Sequence, residues 1–413
     1  MPDERSLLRN LALMATAMLV GLILAEAALR LFFLIAPTPA DAEYRSDPYA
    51  GYRYRPGSRI DYEKGPISYI NSFGFRDQEH SLAKPERTFR ILGIGDSFVY
   101  GLVEKRGDVF VLTQRQDHFL VIAGETLERQ VGRNSCKVEP VMLGLPGYSL
   151  RNEVGVLRSM GLSLSPDLVL LNLFVGNDIT GIALQPVVLH GQMYYTNSPN
   201  PWLRFMRRFY TYLLVEKIII APIRQWDPRK IMFWRHQGAA GTDTHESPTA
   251  SPEEPSGHDG FTPYYLHSES KNLATFLRKP DANTAPLWRQ AEEYLREFDQ
   301  RCDSARVPWA LVLIPADIQV DRDLRLRVLE RLSVPAEQYD FDAPQARLRA
   351  LAASLGVPTL DLLSIFRQEP DEGSSLYITN DIHWSLAGNH KAGQALGEFL
   401  AGHMASLVAA RCP

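Results

Sequence analysis

The chain has 413 residues, of which 45% are hydrophobic and 22% charged, and its formal net charge is −4. This composition is typical of a globular protein and excludes a disordered chain. The charge balance also excludes a nucleic-acid-binding protein, because that class needs a cationic surface to meet phosphate.

Three cysteines are present, Cys136, Cys302 and Cys412. They are too few and too scattered for a disulfide framework or a zinc site. A bridge between Cys136 and Cys302 is open in an oxidising compartment. The default expectation is that both are small core residues and that Cys412 is a thiol in the tail. The sequence implies no metal and no organic cofactor.

An apolar run near the N-terminus predicts a membrane segment. Residues 11–25 are uncharged and apolar, and residues 27–35 continue the run past Glu26, with one interruption at Arg30. About 25 such residues are enough to cross a hydrocarbon core of ~30 Å.

We therefore predict a cytoplasmic tail over residues 1–10 and a single transmembrane signal anchor over residues 11–35. Arg5 and Arg9 precede the run, so the positive-inside rule places the N-terminus in the cytoplasm and the rest of the chain outside. A cleaved signal peptide is the alternative, because small residues follow at 36–40. The apolar run is long for that class and contains a glutamate, which favours the anchor.

A stalk and a lead-in are expected over residues 36–87. Residues 36–66 are rich in Tyr, Arg, Pro and Gly, which predicts irregular chain with short strands packing on the edge of a domain. Residues 71–77, Asn-Ser-Phe-Gly-Phe-Arg-Asp, are interpreted as a loop held by aromatic packing.

Short apolar segments alternate with amphipathic ones in the rest of the chain. Buried parallel strands are predicted at 89–94, 138–143, 168–174, 309–314 and 358–362. Helices are predicted at 117–131, 152–160, 286–302 and 344–355. This alternation predicts a right-handed, doubly wound parallel sheet of about five strands.

Residues 181–285 do not follow this alternation and are interpreted as an insertion. Residues 202–226 are aromatic, basic and apolar, which predicts either a lid helix, the preferred interpretation, or a helix resting on the membrane surface. Residues 238–260 are rich in Ser, Thr, Pro, Glu and His and predict a disordered loop. The histidines in or beside that loop match no metal-site spacing and are expected to be solvated: His236, His245 and His258.

The first predicted strand delivers a serine, Ser97, after the turn residues Gly95 and Asp96. Ligands of open α/β sheets bind outside the carboxyl ends of the strands, so a serine there is well placed to act as a nucleophile. Asp-Ser after a strand is also a common N-cap pair for the next helix. These residues alone leave both interpretations open.

Three further stretches make the pattern specific. They are Leu-Gly-Leu-Pro-Gly-Tyr-Ser at 143–149, Phe-Val-Gly-Asn-Asp at 174–178 and Asn-Asp-Ile-His-Trp-Ser at 380–385. Their order and spacing resemble the SGNH (GDSL-type) hydrolase family, whose four blocks supply Ser, Gly, Asn and His. The resemblance covers about residues 88–402. It implies a three-layer αβα, flavodoxin-like domain over 88–405.

The resemblance also implies roles for individual residues. Ser97 would be the nucleophile, with His383 as the base that takes its proton and Asp381 as the acid that orients the imidazole. The oxyanion hole would use the backbone N–H groups of Ser97 and Gly147 and the side-chain amide of Asn177. Each residue alone has a structural alternative: a turn, a loop contact or a core histidine. The conjunction of all four blocks favours the catalytic site.

One position departs from the common family pattern. The aspartate usually stands three residues before the histidine, where this chain has Asn380, whereas Asp381 stands only two before. The form Asp-x-His-Trp resembles a bacterial subgroup linked to O-acetylation of cell-surface polysaccharides. Asp381 is therefore retained as the orienting acid.

The function that this resemblance implies is a serine ester hydrolase that acts through an acyl-serine intermediate on O-acyl groups of a cell-envelope carbohydrate. The chain would be a single-pass protein of the bacterial inner membrane with a periplasmic catalytic domain, working beside envelope polysaccharide machinery. One alternative is a polysaccharide O-acyltransferase with the same triad, in which a sugar hydroxyl replaces water. Another is a non-catalytic polysaccharide-binding component of an envelope assembly.

Overall fold

The computed structural model describes residues 4–35, 43–61, 67–101, 104–106, 109–131, 136–189, 191–195, 201–216, 260–369 and 376–411. The chain forms two compact units. The first consists of Met1–Ser46 and Leu184–Ser247, and the second of Asp47–Ala183 and Pro248–Pro413.

The strands and helices are numbered here in chain order. The strands are β1 (Tyr44–Asp47), β2 (Gly51–Tyr54), β3 (Arg59–Asp61), β4 (Ile67–Tyr69), β5 (Thr88–Gly95), β6 (Glu104–Arg106), β7 (Val109–Val111), β8 (Lys137–Gly144), β9 (Leu168–Phe174), β10 (Pro186–Leu189), β11 (Gln192–Tyr195), β12 (Trp309–Ile314) and β13 (Thr359–Asp361). The helices are α1 (Glu4–Ile35), α2 (Ser97–Tyr100), α3 (Phe119–Val131), α4 (Leu150–Ser159), α5 (Pro201–Met206), α6 (Tyr210–Val215), α7 (Pro263–Asn272), α8 (Thr284–Ala305), α9 (Asp317–Val320), α10 (Arg322–Arg331), α11 (Ala343–Ser354), α12 (Leu362–Phe366) and α13 (Leu386–Arg411).

A five-stranded parallel sheet, in the order β13-β12-β9-β5-β8, forms the core of the second unit. Every residue of β5, β9 and β12 is buried, which explains why these strands read as continuous apolar runs. The five predicted strands are confirmed, with ends that differ by one residue for most of them. The strand that leads to Ser97 lies inside the sheet, between β8 and β9.

Helices flank this sheet in two layers. Helix α13 packs along α3, and α4 packs on α8. Close approach of α13 to α3 depends on glycine, since a Cβ at Gly393 would lie 2.7 Å from the Cβ of Ile122 and 2.9 Å from the carbonyl oxygen of Phe119. The structure therefore has the predicted three-layer α/β fold. The predicted helices correspond to α3, α4, α8 and α11.

The region predicted as a stalk carries short strands. Strands β3 and β4 form an antiparallel pair. The loop that follows is held as expected by aromatic burial, because Phe75 is fully buried and the side chain of Asn71 accepts hydrogen bonds from the backbone of Phe73 and Phe75. Residues 47–54 belong to the second unit, in which Tyr52 donates to the carbonyl of Pro146 and the side chain of Asn152 donates to the carbonyl of Ala50.

Two of the three cysteines lie among the described residues. Cys302 is a free, buried thiol, whose pKa burial raises to about 12. Cys136 is disulfide-bonded, so a bridge between Cys136 and Cys302 is excluded. The side chains of Cys136 and Cys302 are both buried, as expected of small core residues. Cys412 lies outside the described residues.

The first unit contains the long N-terminal helix α1. Within it, Arg9–Phe32 is long and apolar enough to cross a membrane. Of the segment 202–226, the part up to residue 216 is described, and it forms α5 and α6. Helix α6 packs on α1. The predicted disordered loop at 238–260, apart from Gly260, and the three histidines beside it lie outside the described residues.

Candidate active site

Ser97 follows the carboxyl end of β5 as the first residue of α2, and its side chain is buried. The helix-capping role that the Asp-Ser pair suggested belongs to Asp96, whose carboxylate accepts a hydrogen bond from the Phe98 N–H at 3.0 Å. The Ser97 hydroxyl lies 3.3 Å from the other oxygen of Asp96. Because the aspartate caps the helix, the serine hydroxyl is available for a different partner.

The turn around Ser97 fits only because the adjacent strand ends in glycine. A Cβ at Gly144, the last residue of β8, would lie 2.5 Å from the Cβ of Val99 and 2.7 Å from the carbonyl oxygen of Asp96. These atoms belong to backbone and short side chains that have no room to withdraw. Any larger residue at 144 would push the serine turn out of its place at the end of the sheet.

The different partner of Ser97 is His383. Its Nε2 lies 2.8 Å from Ser97 Oγ, and its Nδ1 lies 2.5 Å from Asp381 Oδ1. With the imidazole proton on Nδ1, the ring donates to the carboxylate and accepts from the serine hydroxyl. The structure thus brings three residues from two distant parts of the sequence into one hydrogen-bonded series.

The short spacing between Asp381 and His383 is explained by a tight turn. Asp381 Oδ1 also accepts the backbone N–H of His383 at 3.1 Å, so one oxygen holds both the backbone and the ring of the histidine. The Ile378 N–H closes the turn by donating to the carbonyl of His383 at 3.0 Å. An acid two residues before the histidine therefore reaches Nδ1.

Asn380 stands where the common family pattern has its acid. It has a structural role in this chain. Its backbone is left-handed, with φ of 60°. Its side chain accepts from the Thr262 N–H at 3.2 Å and donates to the carbonyl of Gly260 at 2.8 Å. Asn380 therefore ties the histidine turn to the segment that begins α7.

An aromatic cluster fixes the turn against the serine helix. Trp384 is buried, and its ring lies 4.8 Å from Phe98, 5.5 Å from Phe119 and 5.5 Å from Phe366. The Phe98 ring also lies 5.3 Å from the His383 ring. Since Phe98 directly follows Ser97, the same packing positions nucleophile and base relative to each other.

Burial and neighbouring charges have opposite effects on the pKa values of His383 and Asp96. Burial disfavours the imidazolium of His383, but the charge of Asp381 and its hydrogen bond outweigh this, so the pKa of His383 is raised above 6.5. Burial raises the pKa of Asp96 to about 6, against the stabilising effects of the Phe98 N–H and of the His383 charge. A base whose pKa lies above 6.5 is well matched to proton transfer near neutral pH.

A second carboxyl group near the histidine was not predicted. Asp317 follows β12, is 2% exposed, and accepts the Tyr265 hydroxyl at 2.5 Å and the Ile318 N–H at 2.7 Å. Burial raises the pKa of Asp317 to about 7, and its charge raises the pKa of His383. The sequence did offer one indication of Asp317, which is its position just after the carboxyl end of a predicted strand. Its partner, Tyr265, lies in a helix that no pattern predicted.

The residues predicted for the oxyanion hole lie at the same edge of the sheet. Gly95 is paired in register with Gly144 on one side and with Asn172 on the other, so the chain reaches Gly147 and Asn177 three residues after the ends of the two neighbouring strands. Gly147 is exposed and left-handed, with φ of 76°. Among the described residues, no partner accepts its N–H. The oxyanion role of both residues stays a prediction.

Two tyrosines hold the turn that contains Gly147. The Tyr52 hydroxyl donates to the carbonyl of Pro146 at 3.0 Å, and the Tyr148 hydroxyl donates to the carbonyl of Tyr52 at 2.5 Å. Their rings meet edge to face at 5.1 Å. Tyr52 belongs to the region expected to be a stalk, so its contribution to the site was missed.

A buried acidic pair lies behind the serine turn. Glu153 and Asp178 are fully buried, and the negative charge of Asp96 repels both carboxylates. Burial, reinforced by the mutual repulsion of these carboxylates, raises the pKa of Glu153 and of Asp178 well above their ordinary values. Asp178 also accepts the Phe174 N–H at 2.6 Å.

Glu153→Gln is expected to stabilise the protein at alkaline pH. The folded-state pKa of Glu153 lies above the ordinary 4.5, so folded protein keeps a proton that unfolded protein releases, and the contribution of this group to stability falls as the pH rises above 4.5. The amide removes this dependence, worth up to about 1.4 kcal/mol per pH unit. Melting temperatures of the full chain in detergent at pH 5 and pH 8 measure the effect. The exposed Glu125→Gln is the matched control, and an equal shift at both pH values in the two variants would contradict the assignment.

Among the described residues, no group of three or more His, Cys, Asp and Glu side chains is arranged to hold a metal ion. This finding concerns the described ranges alone.

Comparison with known proteins gives distant likenesses. No protein-family model matches the chain, and no curated protein matches it. A solved structure from Desulfitobacterium hafniense, assigned to the G-D-S-L lipolytic family, shares 11% identity at a TM-score of 0.34 and covers 75% of this chain and 99% of its own.

Two further solved structures are similar to the same extent. A lipase/acylhydrolase from Enterococcus faecalis shares 10% identity at a TM-score of 0.35 and covers 76% of this chain and 96% of its own. A catalytic mutant of an acetylxylan esterase from Geobacillus stearothermophilus shares 12% identity at a TM-score of 0.37 and covers 76% and 94%. Similarities this distant give no evidence for the activity of this chain. The evidence for its activity is the arrangement of its own residues.

Proposed function

We propose that this protein is a serine ester hydrolase that works through an acyl-serine intermediate. The observation that carries the proposal is the position of His383 between Ser97 Oγ, at 2.8 Å, and Asp381 Oδ1, at 2.5 Å. Nucleophile, base and orienting acid in this sequence of contacts are the parts that acyl transfer to serine requires. A binding protein has no need for a serine hydroxyl held by a base that is itself oriented by a carboxylate.

In the first half of the reaction, Ser97 Oγ attacks the ester carbonyl carbon while His383 Nε2 takes the hydroxyl proton. Asp381 stabilises the imidazolium that forms. The negative oxygen of the tetrahedral intermediate would receive hydrogen bonds from the N–H groups of Ser97 and Gly147 and from the amide of Asn177. Collapse of the intermediate breaks the ester C–O bond, and His383 gives its proton to the leaving alcohol.

In the second half, His383 takes a proton from water, whose oxygen attacks the acyl-serine carbonyl. The second tetrahedral intermediate collapses, the carboxylic acid leaves, and the proton returns from His383 to Ser97 Oγ. Replacing water by a sugar hydroxyl at this step would turn the same residues into an O-acyltransferase. Hydrolysis is preferred because it needs no second binding site for an acceptor.

The substrate class that we propose is an O-acylated carbohydrate of the bacterial cell envelope. Its support is the resemblance of the Asp381-Ile382-His383-Trp384 block to a subgroup linked to polysaccharide O-acetylation. Helix α1 would anchor the protein in the inner membrane, with the catalytic unit on the periplasmic side near envelope polysaccharide machinery. The apolar span Arg9–Phe32 supports the anchoring.

The dependence of activity on pH tests the proposal. We expect kcat/KM for p-nitrophenyl acetate to fall at low pH, with an acid midpoint above 6.5, because His383 has to be neutral to accept the serine proton and its pKa is raised. The measurement uses the full chain in detergent, corrected for hydrolysis without enzyme. A His383→Gln variant is the control, since it should lose the pH-dependent activity. Turnover that persists unchanged in that variant would overturn the proposal.

A further inference from the structure

Two charged residues stand near the end of the otherwise apolar span of α1. Glu26 and Arg30 form an i, i+4 ion pair at 2.7 Å inside the candidate span Arg9–Phe32. Charged side chains in a membrane helix are costly unless they are partnered, and they usually mark a functional contact. The residues that contact Glu26 and Arg30 therefore indicate which part of the protein this end of the helix binds.

The partners lie on the segment that carries α5 and α6. The Glu26 carboxylate accepts the backbone N–H of Tyr210 at 3.1 Å, and the N–H and hydroxyl of Thr211 at 3.0 and 2.9 Å. It thereby caps the N-terminus of α6. Arg30 donates to the carbonyl of Arg208 at 2.9 Å, and its guanidinium lies 4.6 Å from the centre of the Tyr210 ring.

These contacts place the segment at the edge of the bilayer that α1 would cross. At a rise of about 1.5 Å per residue, Glu26 lies about 9 Å from the end of the span at Phe32. The segment that Glu26 and Arg30 hold therefore lies near one end of the candidate span. On α5, Trp202 and Phe205 are 65% and 48% exposed, which suits aromatic side chains at a membrane interface.

A basic cavity opens in this segment. It has a volume of about 320 Å³, and its lining includes Gln185, Arg204, Arg207, Arg208, Tyr210 and Leu213. Arg207 is paired with Glu216 at 2.7 Å. Three guanidinium groups therefore line the cavity, those of Arg204, Arg207 and Arg208. Arginine is the side chain best suited to phosphate, because its fork of donors matches phosphate oxygens.

We propose that this cavity binds the phosphate of an anionic phospholipid in the membrane crossed by α1. The inference rests on the proposed anchoring of the chain. A phosphate in the cavity meets the arginines, while the acyl chains of the same lipid extend past Trp202 and Phe205 into the bilayer. The segment 201–216 would then be a lipid-contacting platform that Glu26 and Arg30 hold on the anchor, which favours the membrane-surface interpretation over the lid.

Lipid retention by the full chain tests this proposal. Native mass spectrometry of the detergent-purified protein is carried out with added phosphatidylglycerol or phosphatidylcholine. We expect preferential retention of phosphatidylglycerol and a loss of about tenfold or more in the double variant Arg204→Gln/Arg208→Gln, since each arginine near a lipid surface contributes about 1 kcal/mol. The matched control is Arg129→Gln/Arg296→Gln, which removes two exposed charges on the second unit and should leave retention unchanged.

Several results would overturn the lipid site. They are equal retention of the two lipids, equal losses in the two double variants, or binding of inorganic phosphate that blocks no lipid. If Arg204→Gln/Arg208→Gln does not fold, Arg208→Gln alone provides the comparison, and unchanged melting temperature and p-nitrophenyl acetate hydrolysis verify its folding. Carbonate extraction of membranes tests the anchor separately. A chain that resists extraction but shows no lipid preference refutes the cavity proposal and leaves the anchor standing, whereas an extracted chain refutes the anchoring and the lipid site together.

Discussion

Replacing Ser97 by alanine is expected to lower kcat/KM for p-nitrophenyl acetate by on the order of 10⁴-fold or more. The hydroxyl lies at the end of β5, 2.8 Å from His383 Nε2. Its loss removes the bond-forming atom, whereas the fold is preserved because Asp96, not Ser97, caps α2 through the Phe98 N–H. The melting temperature should therefore change little.

Ser159→Ala is the matched control for this variant. Ser159 is a half-buried serine at the end of α4, and its hydroxyl donates to a backbone carbonyl of the same helix at 3.4 Å. Its replacement should leave kcat/KM within a factor of about 2. If Ser97→Ala kept more than about a tenth of wild-type activity, Ser97 would not be the nucleophile.

The second large effect is expected at Asp381. Asp381→Asn should lower kcat by about 10³- to 10⁴-fold with little change in KM, because an amide neither stabilises the imidazolium nor fixes the proton on Nδ1. The variant should also lower the acid midpoint of the pH profile, since the charge of Asp381 is the main influence that raises the pKa of His383. Stopped assays with p-nitrophenyl acetate across the pH range measure both effects.

Two comparison variants locate the orienting acid. Asn380→Ala removes the contacts to Gly260 and Thr262 but no charge, so its kcat should fall far less than that of Asp381→Asn. Asp317→Asn tests a further carboxyl group near His383. If kcat fell further in Asp317→Asn than in Asp381→Asn, Asp381 would not be the residue that orients His383.

The sheet was predictable because its signal is local. β5, β9 and β12 are buried along their whole length, so the sequence has to be apolar at every position there. The residues after these strands were predictable for a related reason. Parallel strands end at one edge, and Ser97 and Asn177 each follow such an end.

The supporting contacts were not predictable, because each joins residues far apart in the chain. Tyr265 and Asp317 are 52 residues apart, Tyr52 and Pro146 are 94 apart, and Glu26 and Thr211 are 185 apart. No periodicity encodes such pairs. Helix α7 was missed for a different reason, since it lies in a stretch between two poorly patterned regions and has a weakly amphipathic sequence.

The histidine turn illustrates the limit of spacing as a guide. Counting residues placed the family's usual acid at 380, where the chain has an asparagine. Only the backbone geometry shows that Asp381 reaches both the N–H and the ring of His383. The left-handed Asn380 makes that turn and connects it to α7.

The most direct test of the central claim is the site of covalent labelling by a fluorophosphonate. The full chain in detergent is treated with the probe at pH 8, digested and mapped by tandem mass spectrometry. We predict a single adduct on Ser97, absent from Ser97→Ala and strongly slowed in His383→Gln, because the probe reacts with a serine that a base has activated. A folded protein that takes up no probe, or takes it up on another residue, would contradict the account.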